Sequence, residues 1–437
     1  MRGATGGLFR ALSYRNYRLF FFGQSISLIG TWMQQVAMSW LVYRLTGSAL
    51  LLGTVGFTSQ IPTFLVAPFA GVLADRSDRR LLLLATQSLA MVQALLLAYF
   101  VFSGSVQVWH IITLSLLLGI VNGLDIPVRQ SFVIDMVEEK HGLANAIALN
   151  SSMVNAARLI GPSIAGLLIS ALGEGACFLL NAVSYLAVLV SLAMMRVAKR
   201  PLRQARRSVL HELREGVSYA VGSTPIRAIL MLMALVSLMG MPYAVLMPVF
   251  AREILHGGPH TFGFLMAASG FGALSGTVYL ASRKSVIGLG RLIALSCALF
   301  GAGIAAFALS RLQWLSLVFL LVSGFGAMVQ VAASNTILQT IVEDDKRGRV
   351  MSFFTMSFMG MTPFGSLFAG ALAGLIGAPA TVVIGGIACL GGALIFTAWL
   401  PALREKVRPI YAQLGIIPEV AKGIQSASEV TVPPKEP

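Results

Sequence analysis

The sequence predicts an all-α polytopic membrane protein with twelve transmembrane helices in two six-helix bundles. Hydrophobic residues make up 57% of the 437 residues and charged residues only 11%, whereas a soluble domain carries roughly a quarter charged residues. Apolar segments long enough to span a bilayer, which takes about 20 residues, recur twelve times along the chain. Polar residues are too few to cover a soluble surface, so we expect a multi-pass membrane protein.

Short connections join the predicted spans, and one longer basic segment separates the sixth from the seventh. The bundles are expected at residues 18–197 and 226–401, with an amphipathic linker, residues 198–225, lying on the membrane surface. Residues 1–17 form the predicted amino-terminal arm, and the proline-rich tail, residues 402–437, is expected to be disordered. The predicted spans are 18–43, 49–74, 81–102, 107–131, 145–172, 175–196, 226–251, 260–282, 289–310, 313–339, 349–376 and 379–401.

Basic residues concentrate in alternate connections, which predicts the orientation of the chain. One side carries both chain ends, the linker and the basic connections, whereas the other side carries only Arg44, Arg252 and Arg311. By the positive-inside rule, both termini are expected to be cytoplasmic, in the inner membrane of a bacterium. The net charge of +15 is then a topology signal and a contact with anionic membrane lipids. It does not indicate a nucleic-acid site.

The two halves of the chain show weak internal similarity. Gly30 and Gly53 recur at one constant offset as Gly240 and Gly263, and further matches follow later in each half. Together with the number of spans, these matches favour two parallel repeats with a substrate path between them.

A dense charge cluster lies between the second and third predicted spans, in the sequence Gly71-Val-Leu-Ala-Asp75-Arg76-Ser-Asp78-Arg79-Arg80. Gly71 permits close helix approach, and Asp75 can accept hydrogen bonds from a helix amino terminus. Arg76, Arg79 and Arg80 offer forked donors to carboxylates across an interface. The alternative is a basic loop that is simply solvated.

This stretch resembles motif A of the major facilitator superfamily, a Gly-x-Leu-Ala-Asp-Arg-x-Gly-Arg-Arg pattern, with Asp78 where the pattern has its second glycine. The resemblance implies the major facilitator fold. It also implies that Asp75 and Arg79 act in gating, through a contact between the bundles that breaks when the transporter turns inward. Other segments resemble the branch of proton-linked drug and siderophore exporters, drug:proton antiporter family 3, which includes enterobactin exporters and macrolide efflux proteins. Those segments are Phe9-Arg-Ala-Leu-Ser-Tyr-Arg-Asn-Tyr-Arg-Leu-Phe, Asp125-x-Pro-x-Arg-Gln and Arg347-Gly-Arg-Val-Met.

The fifth span contains the segment Arg158-Leu-Ile-Gly161-Pro162-Ser-Ile-Ala-Gly166. Gly161 and Gly166 leave room for a neighbouring helix, while Pro162 frees a backbone carbonyl and bends the span. The segment is similar to the family's motif C, which is associated with exporters that exchange substrate for protons. Helix packing alone is the alternative interpretation.

Ionisable residues within membrane spans are costly, so they indicate function. Asp125 and Arg129 lie four residues apart on one face of the fourth span. Asp125 could pair with Arg79 or Arg129, carry the coupling proton, or serve as a structural acid at the membrane interface. Arg158 is the deepest cation and needs a partner. It could bind an anionic substrate group, or it could satisfy Asp125 or backbone carbonyls.

Polar side chains within other spans are candidates for the substrate path. Ser27, Thr31 and Gln34 follow helical spacing in the first span and are expected to face this path. The full set of path candidates is Gln24, Ser27, Thr31, Gln34, Asn122, Asn155, Tyr243 and Gln330.

The sequence contains no recognisable nucleophile–base group, phosphate-binding loop or metal-ligand motif, so no enzyme activity, cofactor or metal is expected. The leading hypothesis is a monomeric secondary active transporter. It would export small amphipathic molecules, drug-like or siderophore-like, by alternating access in exchange for protons. One alternative is a lipid flippase, such as one that moves lysophospholipids. The other is a membrane sensor or assembly partner that transports nothing.

Overall fold

The computed structural model describes residues 10–137, 140–196, 222–283, 285–343 and 346–413. At residues 68, 71, 72, 74–76, 140, 141 and 144 it describes the backbone but not the side chain. The predicted linker lies almost entirely outside the described residues, as do residues 1–9 and those after Gln413. The domain boundaries drawn from the sequence therefore stay a prediction.

Twelve long helices account for most of the described chain, and the described residues contain no β-strand. Eleven of these helices are long and apolar enough to cross a membrane. The first has the length, but it carries polar residues such as Gln24, Gln34 and Gln35. The all-α polytopic fold is thus confirmed. The helices are α1 Arg15–Thr46, α2 Ala49–Arg76, α3 Arg79–Phe102, α4 Val108–Asp135, α5 Lys140–Leu172, α6 Glu174–Met194, α7 Thr224–Ile254, α8 Pro259–Ala281, α9 Leu289–Leu309, α10 Gln313–Ile341, α11 Arg347–Ile376 and α12 Ala378–Gln413.

The last helix runs farther than the sequence predicted. α12 continues through residues 402–413, which are helical where a disordered tail was expected. Leu403 is buried, and Ile410 packs against the core from the same extension. The Lys406 ammonium donates a hydrogen bond to Thr224 Oγ1 at 2.7 Å, at the start of α7. An apolar face therefore holds this extension in place, although five of its twelve residues are charged or carry an amide.

The helices pack as two bundles of six, as predicted. In the first bundle, α1 packs against α5 and α6, α2 against α4, and α3 against α4 and α6. In the second, α10 packs against α8 and α9, while α12 packs against α7, α9 and α11. Two seams join the bundles, one between α2 and α11 and the other between α5 and α8.

Wide π-helical turns interrupt α7 and α11, at Val236–Gly240, Phe250–Ile254 and Met356–Gly360. In the first of these turns, Met241 N donates to the carbonyl oxygen of Val236, five residues back, at 3.0 Å. Pro242 follows directly, and its missing N–H prevents the regular hydrogen-bond ladder from resuming at once. Such turns often mark functional sites. Both interrupted helices contact α2 of the opposite bundle.

Candidate functional site between the two bundles

The two ends of the helical assembly differ in charge. The connections after α2, α4, α8 and α10 lie at one end. We name it the basic end, because it carries Arg79, Arg80, Arg283 and Arg347. The connections after α1, α5, α7 and α11 lie at the opposite end, the far end.

At the far end, α5 and α8 approach closely because each carries a glycine at the crossing point. A Cβ atom built on Gly166 would lie 3.0 Å from Gly263 Cα, and one built on Gly263 would lie 2.7 Å from the Pro162 carbonyl oxygen. Gly161 makes room for α1 instead, since its Cβ would lie 2.9 Å from the Ile29 carbonyl oxygen. The motif C-like segment therefore packs α5 against helices of both bundles.

The second seam, between α2 and α11, is built in the same way. A Cβ atom on Gly53 would lie 2.9 Å from Gly370 Cα. Nearby, the rings of Phe57 and Phe364 meet edge to face with centroids 5.8 Å apart. Gly53 and Gly263, which the internal repeat matched in sequence, thus occupy equivalent crossing points, one in each seam.

Polar and aromatic contacts add to the closure of the far end. The Tyr43 hydroxyl at the end of α1 donates a hydrogen bond to the Glu253 carboxylate at the end of α7. The Trp40 ring stacks on Phe262 of α8, with centroids 6.2 Å apart. The sequence analysis missed all four residues, because spacing along one helix does not identify a partner in the other half of the chain.

The contacts between the bundles, among the described residues, are concentrated in the far half of the molecule. They extend from the far end to the middle, where Gly270 lies against the carbonyl oxygen of Arg158 and Gly360 against the Phe64 ring. Within the described chain, the basic-end parts of α7 and α11, Thr224–Leu235 and Arg347–Thr355, make no substantial contact with the first bundle.

At the basic end, the described arginines of the charge cluster bind within the first bundle. Arg79 Nη1 donates to Asp135 Oδ2 of α4 at 2.9 Å. Arg80 donates to two carbonyl oxygens near the end of α6, each at 2.7 Å. These bonds join α3 to α4 and α6. The predicted contact of Asp75 with the second bundle stays a prediction, because the side chains of Asp75 and Arg76 are not described, and so does the close helix approach at Gly71.

Asp78, which stands where motif A has a glycine, begins α3. Its carboxylate accepts hydrogen bonds from the backbone N–H groups of Arg80 at 2.9 Å and Leu81 at 3.3 Å. The backbone at Asp78 is extended, with φ −67° and ψ 109°, so the position does not need glycine. An aspartate at this position stabilises a helix by about 1 kcal/mol relative to alanine.

Asp125 lies buried inside the first bundle, 4% exposed, between α3 and α4. Its Oδ1 accepts hydrogen bonds from Thr86 Oγ1 at 2.9 Å and from Gln87 Nε2 at 2.7 Å. Its Oδ2 lies 3.3 Å from Arg129 Nε. Of the two pairings considered for Asp125, with Arg79 or with Arg129, the structure shows the one with Arg129, and Arg79 pairs with Asp135. Thr86 and Gln87 were not predicted, because they belong to a different helix.

Arg158 lies in the middle of the molecule, where α5 meets α1 and α8. Its guanidinium carbon is 5.0 Å from the centroid of the Trp32 ring, which gives a cation–π contact. Gly270 of α8 lies against the Arg158 backbone, since a Cβ atom on Gly270 would be 3.2 Å from the Arg158 carbonyl oxygen, and the adjacent residue Ser269 contacts Tyr243 of α7. The Tyr243 hydroxyl forms a hydrogen bond with Ser269 Oγ of α8 at 2.7 Å. Asp125 is occupied by Arg129, so Arg158 does not serve as its partner.

Gln34, predicted to face the substrate path, lies inside the first bundle. Its amide donates to Gln93 Oε1 at 2.8 Å and accepts from Asn181 Nδ2 at 2.7 Å, and the residue is 1% exposed. The assignment to the path is therefore corrected. Helical spacing predicted which residues share a face of α1, but it could not tell that α3 and α6 cover this face.

Most of the other residues predicted to line the substrate path also have side chains that are buried or hydrogen-bonded within their own bundle. Gln24, Ser27 and Gln330 are buried within the bundles, each 3% exposed or less. Thr31 and Asn155 donate to carbonyl oxygens one turn earlier on their own helices, which satisfies their polar groups locally. Asn122 is half-buried. Asn155 lies one turn before Arg158 on α5, and Tyr243 of the opposite bundle contacts Ser269, next to the residue that packs on the Arg158 backbone.

Comparisons of the sequence identify relatives along nearly the whole chain. A family model described as transmembrane secretion effector, within the major facilitator superfamily, matches residues 7–414. The staphyloferrin A transporter of Staphylococcus aureus is 28% identical over 86% of this chain and 94% of its own length. Multidrug efflux pump Tap of Mycolicibacterium fortuitum is 26% identical over 85% and 92%. Macrolide efflux protein A of Streptococcus pyogenes is 21% identical over 83% and 92%.

Solved structures share the fold. A POT family transporter in complex with 5-aminolevulinic acid has a TM-score of 0.72 at 12% identity, covering 89% of this chain and 96% of that one. A bacterial homologue of the human lysosomal transporter Spinster has a TM-score of 0.65 at 14% identity, covering 89% and 95%. At such identities the likeness shows the fold alone, which is that of the major facilitators.

Family and fold agree with the two-bundle architecture. The chain is a multi-pass membrane transporter of a bacterial family and not an enzyme. It belongs to the transmembrane secretion effector family of the major facilitator superfamily.

Proposed function

We propose that this protein is a secondary active transporter that exports small amphipathic molecules by alternating access, in exchange for protons. The observation that carries the proposal is the matched pair of glycine crossing points, one in each seam, that packs the bundles together at the far end. Equivalent seams allow two rigid bundles to rock about the middle of the membrane and expose a site to each side in turn.

In this proposal the protein lies in the inner membrane of a bacterium, with both termini in the cytoplasm. The concentration of Lys and Arg at the basic end supports this orientation, since the opposite connections carry only Arg44, Arg252 and Arg311. The far end then faces outward. Its closure makes the described conformation an inward-facing one.

The relatives support the choice of substrate class. They are named a staphyloferrin A transporter, a macrolide efflux protein and a multidrug efflux pump. Small siderophore-like or drug-like molecules are therefore the expected cargo. The transporter is expected to act as a monomer, with its basic end in contact with anionic lipids.

Asp125 carries the coupling proton in this mechanism. Protonation would neutralise the carboxylate that pairs with Arg129 and accepts hydrogen bonds from Thr86 and Gln87. Loss of one partner of a buried ion pair typically costs about 3–5 kcal/mol. A free energy of this size is enough to shift the balance between two conformations of a transporter.

Inside-out membrane vesicles with an acidic interior test the proposal. Two dyes that share a xanthene ring system serve as probes, the anionic 5-carboxyfluorescein and the cationic rhodamine 123, and accumulation is measured by filtration. We expect accumulation of at least one dye, and its loss when nigericin dissipates the pH gradient. Asp125→Asn should abolish this accumulation. The matched control, Asp78→Asn, also removes a carboxylate but keeps a helix-capping side chain, so it should transport normally.

The outcomes separate the competing functions. Wild-type levels of accumulation by Asp125→Asn would show that another group carries the proton. Accumulation of neither dye would favour a sensor or assembly partner. Movement of a fluorescent lysophosphatidylcholine without a pH gradient would favour a flippase.

A further inference from the structure

Arg158 is a charged side chain in the middle of the transporter without a carboxylate beside it in the described chain. Its surroundings are the Trp32 ring at 5.0 Å and, across the seam, Gly270 of α8, whose neighbour Ser269 is hydrogen-bonded to Tyr243; none of these groups carries a charge. The Arg158 side chain is half-buried, at the place where α5 meets α8 of the second bundle. A cation withdrawn from bulk water normally requires a paired or hydrogen-bonding partner.

The three helices that meet at Arg158 offer no counter-ion. α1, α5 and α8 contain no aspartate or glutamate along their whole length. In α7 the acidic residue is Glu253, which is at the far end and bonded to Tyr43. In α4, Asp125 and Asp135 are each paired with another arginine. The missing negative charge therefore has to come from outside the helices around the site.

The surroundings of Arg158 suit an organic anion with an apolar body. A guanidinium presents parallel N–H donors that match both oxygens of a carboxylate. Trp32 on one bundle and Tyr243 on the other supply ring surfaces for the apolar part, and Tyr243 with Ser269 adds hydroxyl groups from the second bundle. Groups from both bundles thus surround one position near the middle of the span.

We infer that the transported substrate is an amphipathic organic anion whose carboxylate binds Arg158 between Trp32 and Tyr243. This inference rests on the proposed export function and specifies its substrate class. Binding pairs the guanidinium, which has no carboxylate beside it among the described residues. Arg158 belongs to the first bundle and Tyr243 to the second. The bound molecule therefore contacts both bundles, so its binding can favour one arrangement of the bundles over the other.

Binding to the purified full-length protein tests the inference independently of transport. Fluorescence polarisation measures the affinity for 5-carboxyfluorescein and for rhodamine 123 in detergent micelles. For Arg158→Gln, we expect affinity for the anion at least about tenfold lower, because a charged hydrogen-bonding partner is lost, with little change for the cation. Arg158→Lys keeps the positive charge but loses the two parallel N–H donors of the guanidinium, so its affinity for the anion should be intermediate. Arg311→Gln removes an exposed positive charge at the far end and serves as the control.

A structural role for Arg158 would give a different result, because both dyes would then lose affinity equally. Equal loss of affinity for both dyes would overturn the inference. So would an unchanged anion affinity in Arg158→Gln, or the absence of anion binding by the wild type. In the vesicle assay, gradient-driven accumulation of rhodamine 123 alone would leave the export function standing and reject the anionic substrate. Anion binding that depends on Arg158, without accumulation of either dye, would reject export and support the anion site.

Discussion

Replacing Gly263 with alanine is expected to open the far end of the transporter. A Cβ atom at this position would lie 2.7 Å from the Pro162 carbonyl oxygen and 2.8 Å from Gly166 Cα. To restore an ordinary contact of 3.4 Å to both atoms, α5 and α8 must separate there by roughly 0.7 Å. In an outward-open state the two helix ends are already apart, so the added methyl group strains only the closed state.

The size of the effect follows from the cost of overpacking, which is typically about 1–3 kcal/mol. Because this free energy acts on one of two states, the ratio of open to closed molecules should rise by about fivefold to 150-fold. Gly374→Ala is the matched control. It also adds a methyl group near the far end, but a Cβ there meets nothing within 4 Å.

A cysteine at Ser366 reports on opening, because this residue is fully buried in the other seam, where Gly53 and Gly56 approach it. The native cysteines are all buried and should not react. We expect Gly263→Ala to raise the rate at which a membrane-impermeant maleimide labels Ser366→Cys, whereas Gly374→Ala should leave it unchanged. Equal labelling rates in the two variants would refute the idea that the seams open together.

Two further predictions concern groups that the structure places in structural roles. Asp78→Ala should destabilise the protein by about 1 kcal/mol, because α3 loses its cap, while Asp78→Asn and Asp78→Gly should stay within a few tenths of a kcal/mol of the wild type. Thermal unfolding of the purified variants checks this order, and equal stability of all three would contradict it. Gln34→Leu should lower stability by about 1–3 kcal/mol for each buried amide left unpaired, here Gln93 and Asn181, without changing affinity for either dye. Weaker dye binding by Gln34→Leu would instead support the original prediction that Gln34 lines the substrate path.

The fold could be predicted from the sequence because a bilayer leaves few choices. Long apolar segments have to satisfy their own backbone hydrogen bonds, and helices do so within each segment. The internal repeat also held physical information, since Gly53 and Gly263 occupy equivalent crossing points. Their partners, Gly370 and Gly166, could not be assigned, because a glycine indicates a close approach but does not indicate which helix approaches.

The partners of the charged residues were predicted less well. Arg79 had several carboxylates within plausible reach, and the structure pairs it with Asp135, which lies two helical turns beyond the Asp125–Arg129 segment. Asp125 with Arg129 was predictable because both lie on one helix face. Pairings within a helix follow from its periodicity, whereas pairings between helices depend on rotations about each axis that the sequence does not specify.

The prediction that the chain is disordered from residue 402 onward, which was based on composition, was wrong for the first part of that tail. The tail from residue 402 lacks long apolar runs and gathers prolines toward its end, which favoured disorder, yet α12 continues through residues 402–413. The buried side chain of Leu403 and the contact of Lys406 with Thr224 hold the extension. A few well-placed apolar positions outweighed the average composition.

Distances measured across both ends of the molecule test alternating access most directly. Spin labels at Ser105 and Arg311, exposed in connections at the far end, report on that end, and labels at Met194 and Ser282 report on the basic end. Double electron–electron resonance would compare each pair with and without Gly263→Ala. Alternating access predicts that the far-end distance lengthens while the basic-end distance shortens. Distances that change in the same direction, or that do not change at all, would contradict it.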